Sequence, residues 1–189
     1  PVGGGRVTAL AHPSGPLQPL DLLTRGAVKH MEAEALLAGL PEHIGARELA
    51  VVRQRLGWPE TSTPIRRVTA KGRGNALILR VVSEHVTGIF TGFGRRGVPA
   101  EAVAEEAVDA CAAYLDAGVP VGKHLADQLL VPLALAGAGR FRTLSPSNHT
   151  HTNIAVIQHF LPGAMEVLPQ GGPVWEIRLK ADRHEHHGG

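Results

Sequence analysis

The chain has 189 residues, 43% hydrophobic and 19% charged, enough apolar material for one large core or two small ones. Its formal net charge of +2 is too small to announce a nucleic-acid binder, and the basic residues fall into short clusters: Arg66-Arg67 with Lys71 and Arg73, Arg95-Arg96, and Arg140 with Arg142. A single cysteine, Cys111, excludes an intrachain disulfide and makes a reducing, cytoplasmic compartment the expectation, and no apolar run reaches membrane-spanning length.

The opening Pro1-Val2-Gly3-Gly4-Gly5 lacks an initiating methionine and any export-signal pattern, and reads as mid-chain sequence. Arg6 to Ala11 alternates weakly and is expected as a strand, followed by a proline-rich stretch from Pro13 to Pro19. His30 to Leu40 is a second strand closed by Gly39-Leu40-Pro41. Pro41 then pre-sets a helix start, with Ile44, Leu49, Val52 and Leu56 on one side and Gly57-Trp58-Pro59 at the end. Ile65 to Ala70 is a strand broken by Gly72 and Gly74. Ala76 to Phe90 carries the strongest strand signal, one long β-branched run with room for a bend at Glu84-His85. Thr91-Gly92-Phe93-Gly94-Arg95-Arg96-Gly97 is a glycine-rich turn with two cations, better read as a strand-to-helix turn than as a phosphate loop. Pro99 opens a helix that buries Val103, Ala107, Cys111 and Leu115 and stops at Gly118.

Lys123 to Ala136 returns to helical spacing. His124, Asp127, Gln128 and Val131 make one stripe, and Leu125, Leu129, Pro132, Leu133 and Ala136 the expected core-facing one. Phe141 to Leu144 is a short strand, Asn153 the expected N-cap of a helix from Ile154 to Leu161, and Val174 to Leu179 a last strand. The mixture points to an α/β (α+β) fold. Boundaries at Pro13–Pro19 and Ala117–Gly122 make residues 24–117 an inserted domain, with 1–23 and 118–189 as parts of another. The tail His184-Glu185-His186-His187 carries metal-ligating side chains but reads as a frayed polar terminus.

Two constellations can carry chemistry. His149, after Pro146-Ser147-Asn148, is placed on a loop at a helix N-terminus, where phosphate oxygens bind well. Its neutral imidazole already offers a lone pair to phosphorus. The bland reading is a histidine bonded to a loop carbonyl, and spacing does not choose between His149 and His151. In the His124–Gln128 stripe an imidazole can stack on a base and a carboxylate can accept from ribose hydroxyls; a solvated first turn is the alternative. No thiol pair for zinc, Ser/His/Asp arrangement or Walker-type loop is present.

The run His124-Leu125-Ala126-Asp127-Gln128-Leu129-Leu130-Val131-Pro132-Leu133-Ala134-Leu135-Ala136-Gly137, with Pro146-Ser147-Asn148-His149-Thr150-His151-Thr152-Asn153-Ile154, resembles the RNA 3'-terminal phosphate cyclase family. Shorter matches are Gly3-Gly4-Gly5, Arg25-Gly26, Ala38-Gly39-Leu40-Pro41, Gly74-Asn75-Ala76 and Thr91 through Val98, so the likeness covers almost the whole chain. The resemblance implies a domain of βαβαββ units, shared with enolpyruvyl transferases, interrupted by a small α/β insert. It implies that His149 takes AMP from ATP as a covalent histidyl-AMP and passes it to an RNA 3'-phosphate end, which closes to a 2',3'-cyclic phosphate. His124, Leu125, Ala126, Asp127 and Gln128 match the adenylate-binding segment. A divalent cation, Mg or Mn, is expected, its ligands lying in an N-terminal part that the chain is expected to lack. The likeness implies no membrane partner. Two other readings share the architecture: a non-catalytic relative acting in ribosome biogenesis, against which the retained His149 argues, and an enolpyruvyl transferase, whose chemistry has no use for that histidine.

Overall fold

The computed structural model describes residues 6–12, 15–161 and 163–180. They form a mixed α/β protein of two compact units: Ala27–Asp116 with the described part of Pro1–His12, and Ala117–Gly189 with Pro13–Gly26, again in their described parts.

The first unit is a four-stranded sheet with two long helices. Its strands are β2 (Val28–Ala38), β3 (Ile65–Arg67), β4 (Gly74–Ser83) and β5 (Thr87–Phe93), in the order β3-β2-β4-β5. Helix α1 (Glu42–Leu56) links β2 to β3, which are parallel, whereas β2/β4 and β4/β5 are antiparallel. One face of the sheet is buried at alternate positions, as a half-covered sheet requires: Ala33, Ala35 and Leu37 in β2, Leu77, Leu79 and Val81 in β4. Leu49 and Val52 of α1 and Val103, Ala107, Val108 and Cys111 of α2 (Ala100–Ala117) complete the buried set. Tyr114 joins it, fully buried with its ring 5.1 Å from that of Phe90, where the sequence reading placed only Leu115.

Four expectations change here. Ala76 to Phe90 is not one bent strand but a hairpin, β4 and β5, in which Ser83 N–H donates to the Val86 carbonyl across the Glu84-His85 turn. The β-branched run continues through the turn, so composition hid the reversal. Ile65 to Ala70 shortens to Ile65–Arg67. Arg6 to Ala11 forms no strand; Val7 and Leu10 are exposed, and alternation without a neighbouring ladder does not hold a strand in water. The glycine-rich 91–97 segment is a turn only after Phe93, since residues 91–93 end β5, and two of its glycines are explained by packing. A Cβ on Gly92 would collide with the Val103 carbonyl of α2, and one on Gly94 with the Asn75 side chain.

The second unit contains β1 (Leu20–Leu22), α3 (Lys123–Ala136), β6 (Gly139–Leu144), α4 (Asn148–Phe160), β7 (Ala164–Pro169) and β8 (Val174–Lys180). Its sheet runs β1-β6-β8-β7, with β1 parallel to β6 and the other pairs antiparallel. Chain order within this unit is β-α-β-α-β-β, the unit that the resemblance implies, with the first unit inserted after its first strand. Val121, Leu130, Leu133, Phe141, Ile154, Ile157 and Ile177 form its core, which α3 and α4 cover together.

The buried face of α3 differs from expectation. Ala126, Leu130, Leu133 and Ala134 are buried, Leu125 and Leu129 pack partly against the core, and Pro132 is exposed. The helix is apolar nearly all round, so periodicity alone could not select its face.

Candidate functional site

The second unit brings the two chemistry-bearing segments together. Helix α3 begins after Gly122, extended at φ −78° and ψ 167°, with no side-chain cap, and ends at Gly137, whose φ of 74° only glycine adopts cheaply. His124 and Gln128 are exposed on its first turns, and Asp127 is half-buried between them and the core side. Ala126 is only 2% exposed and belongs to the core, and Leu125 packs against it. These two members of the predicted adenylate segment therefore offer packing and backbone, not side-chain surface to a ligand.

The start of α4 departs from the sequence reading. Asn153 is not its N-cap: the helix begins at Asn148, capped by Ser147, so His149 sits in the first helical turn and not on a preceding loop. The cap is reciprocal. Thr150 N–H donates to Ser147 Oγ at 3.1 Å, and Ser147 N–H donates to Thr150 Oγ1 at 3.2 Å. Thr150, 1% exposed, then donates its hydroxyl to Asp127 Oδ1 at 2.6 Å. One buried hydroxyl thus accepts from the turn that carries His149 and donates to the carboxylate of α3.

This arrangement fixes the backbone on either side of His149 while leaving its ring exposed. The first N–H groups of a helix lack intrahelical acceptors, and the helix dipole adds partial positive charge there, so the turn is suited to an anion. His151 is also exposed, on the same turn. Ser147 and Thr150 went unrecognised in the sequence. Their signal was a Ser-x-x-Thr spacing after Pro146, a capping box with threonine in place of the usual Glu or Gln. Among the described residues no group of three or more His, Cys, Asp and Glu side chains could hold a metal ion, and no helix is long and apolar enough to cross a membrane. The His184–His187 tail and Gly3–Gly5 lie outside the described residues.

Residues 23–116 match the family model described as RNA 3'-terminal phosphate cyclase, insert domain. Over 182 residues the chain is 46% identical to an RNA 3'-terminal phosphate cyclase of Pseudomonas fluorescens, covering 96% of this chain and 53% of that protein. Proteins of the same name from Koribacter versatilis and Salmonella agona are 46% identical over 88% of the chain and 43% identical over 86%, with 47% of each relative covered. The chain belongs to the RNA 3'-terminal phosphate cyclase family. It spans about half the length of the curated relatives it matches. All of the match but residues 23–26 falls in the first unit, whereas the Asp127–Thr150 junction lies in the second, outside that match.

Proposed function

We propose that this chain carries the nucleophile and part of the nucleoside pocket of an ATP-dependent cyclase that converts an RNA 3'-terminal phosphate to a 2',3'-cyclic phosphate. The supporting observation is the Thr150–Asp127 hydrogen bond with the Ser147 cap, which sets an exposed His149 on a rigid helix start tied to the 124–128 segment.

A ring nitrogen of His149 attacks the α-phosphorus of ATP. The new P–N bond replaces the bond to pyrophosphate, which departs, and the ring gives up its N–H proton. An oxygen of the RNA 3'-phosphate then attacks the same phosphorus, breaking P–N, and the ring regains a proton. The neighbouring 2'-hydroxyl attacks the activated terminal phosphorus, loses its proton to solvent and expels AMP. The ribose holds this hydroxyl beside its target, so the last step gains from proximity. In this reading the exposed His124 stacks on adenine, and Asp127, with one oxygen held by Thr150, offers the other to a ribose hydroxyl. A divalent cation, if bound, would supply charge neutralisation, but among the described residues no group of three or more His, Cys, Asp and Glu side chains fits one.

The test is incubation of the protein with ATP labelled at the α-phosphate. Acid-labile label should appear, disappear in His149→Ala and persist in His151→Ala. Label surviving in His149→Ala would overturn the assignment.

A further inference from the structure

The first unit holds an open cleft of about 730 Å³ that the reaction above does not use. Three short motifs meet in its walls: Leu40 after Gly39, Gly74-Asn75, and Gly94-Arg95-Arg96 with Val98. Arg47, Arg73, Arg95 and Arg96 line it and no carboxylate does. Two of the four are held from behind. Arg47 makes a bidentate pair with Glu101 at 2.6 and 2.5 Å, and Arg95 pairs with Glu106. Arg73 and Arg96, both exposed, have no ion pair or hydrogen bond among the described residues. Pro99 and Ala100 bring the N-terminal turn of α2 to the same wall, adding its dipole to the two unneutralised guanidinium groups.

We propose that this cleft binds the sugar-phosphate backbone of single-stranded RNA. Two cations without partners in a lining free of carboxylates select an anion, and guanidinium forks match phosphate oxygens bidentately. The apolar stretch formed by Leu40, Ile44, Val98, Pro99 and Val103 suits sugar faces better than a bare ion. These features favour a nucleic-acid strand over an acidic protein. The choice of RNA rests on the proposed function; the choice of a phosphodiester strand does not. The guanidinium groups of the lining are taken up by phosphates or by Glu101 and Glu106, and the Asn75 amide already donates to Glu48, so binding is indifferent to sequence.

The test is fluorescence anisotropy with a labelled mixed-sequence RNA of about 20 nucleotides, without ATP, across a salt series. Arg73→Glu/Arg96→Glu should weaken binding tenfold or more and flatten the slope of log affinity against log salt by about 1.4, two phosphates at roughly 0.7 each. Arg73→Lys/Arg96→Lys should keep most of the slope, and melting curves should confirm that both variants fold. Strands ending in 3'-hydroxyl and 3'-phosphate should bind alike, so this assay stands or falls independently of ATP labelling. Unchanged affinity and slope in the Glu variant would overturn the proposal. So would inorganic phosphate competing as well as the strand, or poly-glutamate binding that the Glu variant loses while RNA binding persists.

Discussion

Each unit buries a polar network under a surface feature, and the two networks are satisfied to different degrees. In the second unit Ser147, Thr150 and Asp127 close a set of neutral and charge-assisted bonds in which Thr150 Oγ1 both donates and accepts. In the first, Glu48 is fully buried on α1; it accepts from the Asn75 side chain through one oxygen, while Oε2 has no partner among the described residues. Burial pushes the Glu48 carboxyl up to about 7, only partly offset by the Asn75 hydrogen bond. A satisfied network fixes a geometry, whereas an unsatisfied buried carboxyl makes its unit sensitive to pH.

Perturbing the apolar floor beneath the satisfied network should have the largest effect. Leu130→Ala opens a cavity at a site with no exposure, so it should cost about 2–5 kcal/mol in chemical denaturation and take the α3–α4 junction with it. Next comes Glu48. Its folded-state pKa lies above the ordinary 4.5, so between that value and about 7 the folded chain keeps a proton that the unfolded chain releases. Raising the pH through this window removes stability, by roughly 3–4 kcal/mol at most for one group. Glu48→Gln should abolish that slope and leave the protein more stable than wild type at pH 8; an unchanged slope would move the pH response elsewhere.

A smaller effect is expected at Thr150. Thr150→Val keeps the shape but strips partners from Asp127 and Ser147, costing roughly 1–3 kcal/mol, whereas Thr150→Ser should restore most of it. Under the proposed function, Thr150→Val also slows His149 labelling by more than its stability loss explains, and Thr150→Ser rescues the rate. At the small end, Arg55→Ala should leave the melting temperature unchanged within error, because the Arg55–Asp109 pair is solvent-exposed on both sides.

The same contrast shows which parts of the molecule could be read from sequence. Helix α3 was legible to the residue because glycine brackets it, Gly122 before and Gly137 after. Its core face was not, since apolar side chains surround the helix and only the sheet beneath decides which are buried. The sequence points to Asn153 as the start of α4, because asparagine before an apolar run is a strong cap signal. The true cap depends on a threonine whose second bond goes to Asp127, and no local pattern reports that tertiary contact. Strands β1 and β7 were missed for a related reason: three residues from Leu20 and the Ala164–Pro169 segment become strands through pairing with β6 and β8. Arg73, Arg95 and Arg96 are visible in the sequence as members of clusters and Arg47 is not; the pairing of Arg47 with Glu101 and of Arg95 with Glu106, and the lack of a partner for Arg73 and Arg96 among the described residues, are properties of the folded unit.

The most direct measurement is peptide mapping by mass spectrometry after brief incubation with ATP under neutral or alkaline work-up. The account predicts AMP attached to the peptide carrying His149, with fragmentation placing it on that ring and acid releasing it. AMP placed on His151 or on a residue of the first unit, or ATP consumed with no adenylylated histidine, would contradict it.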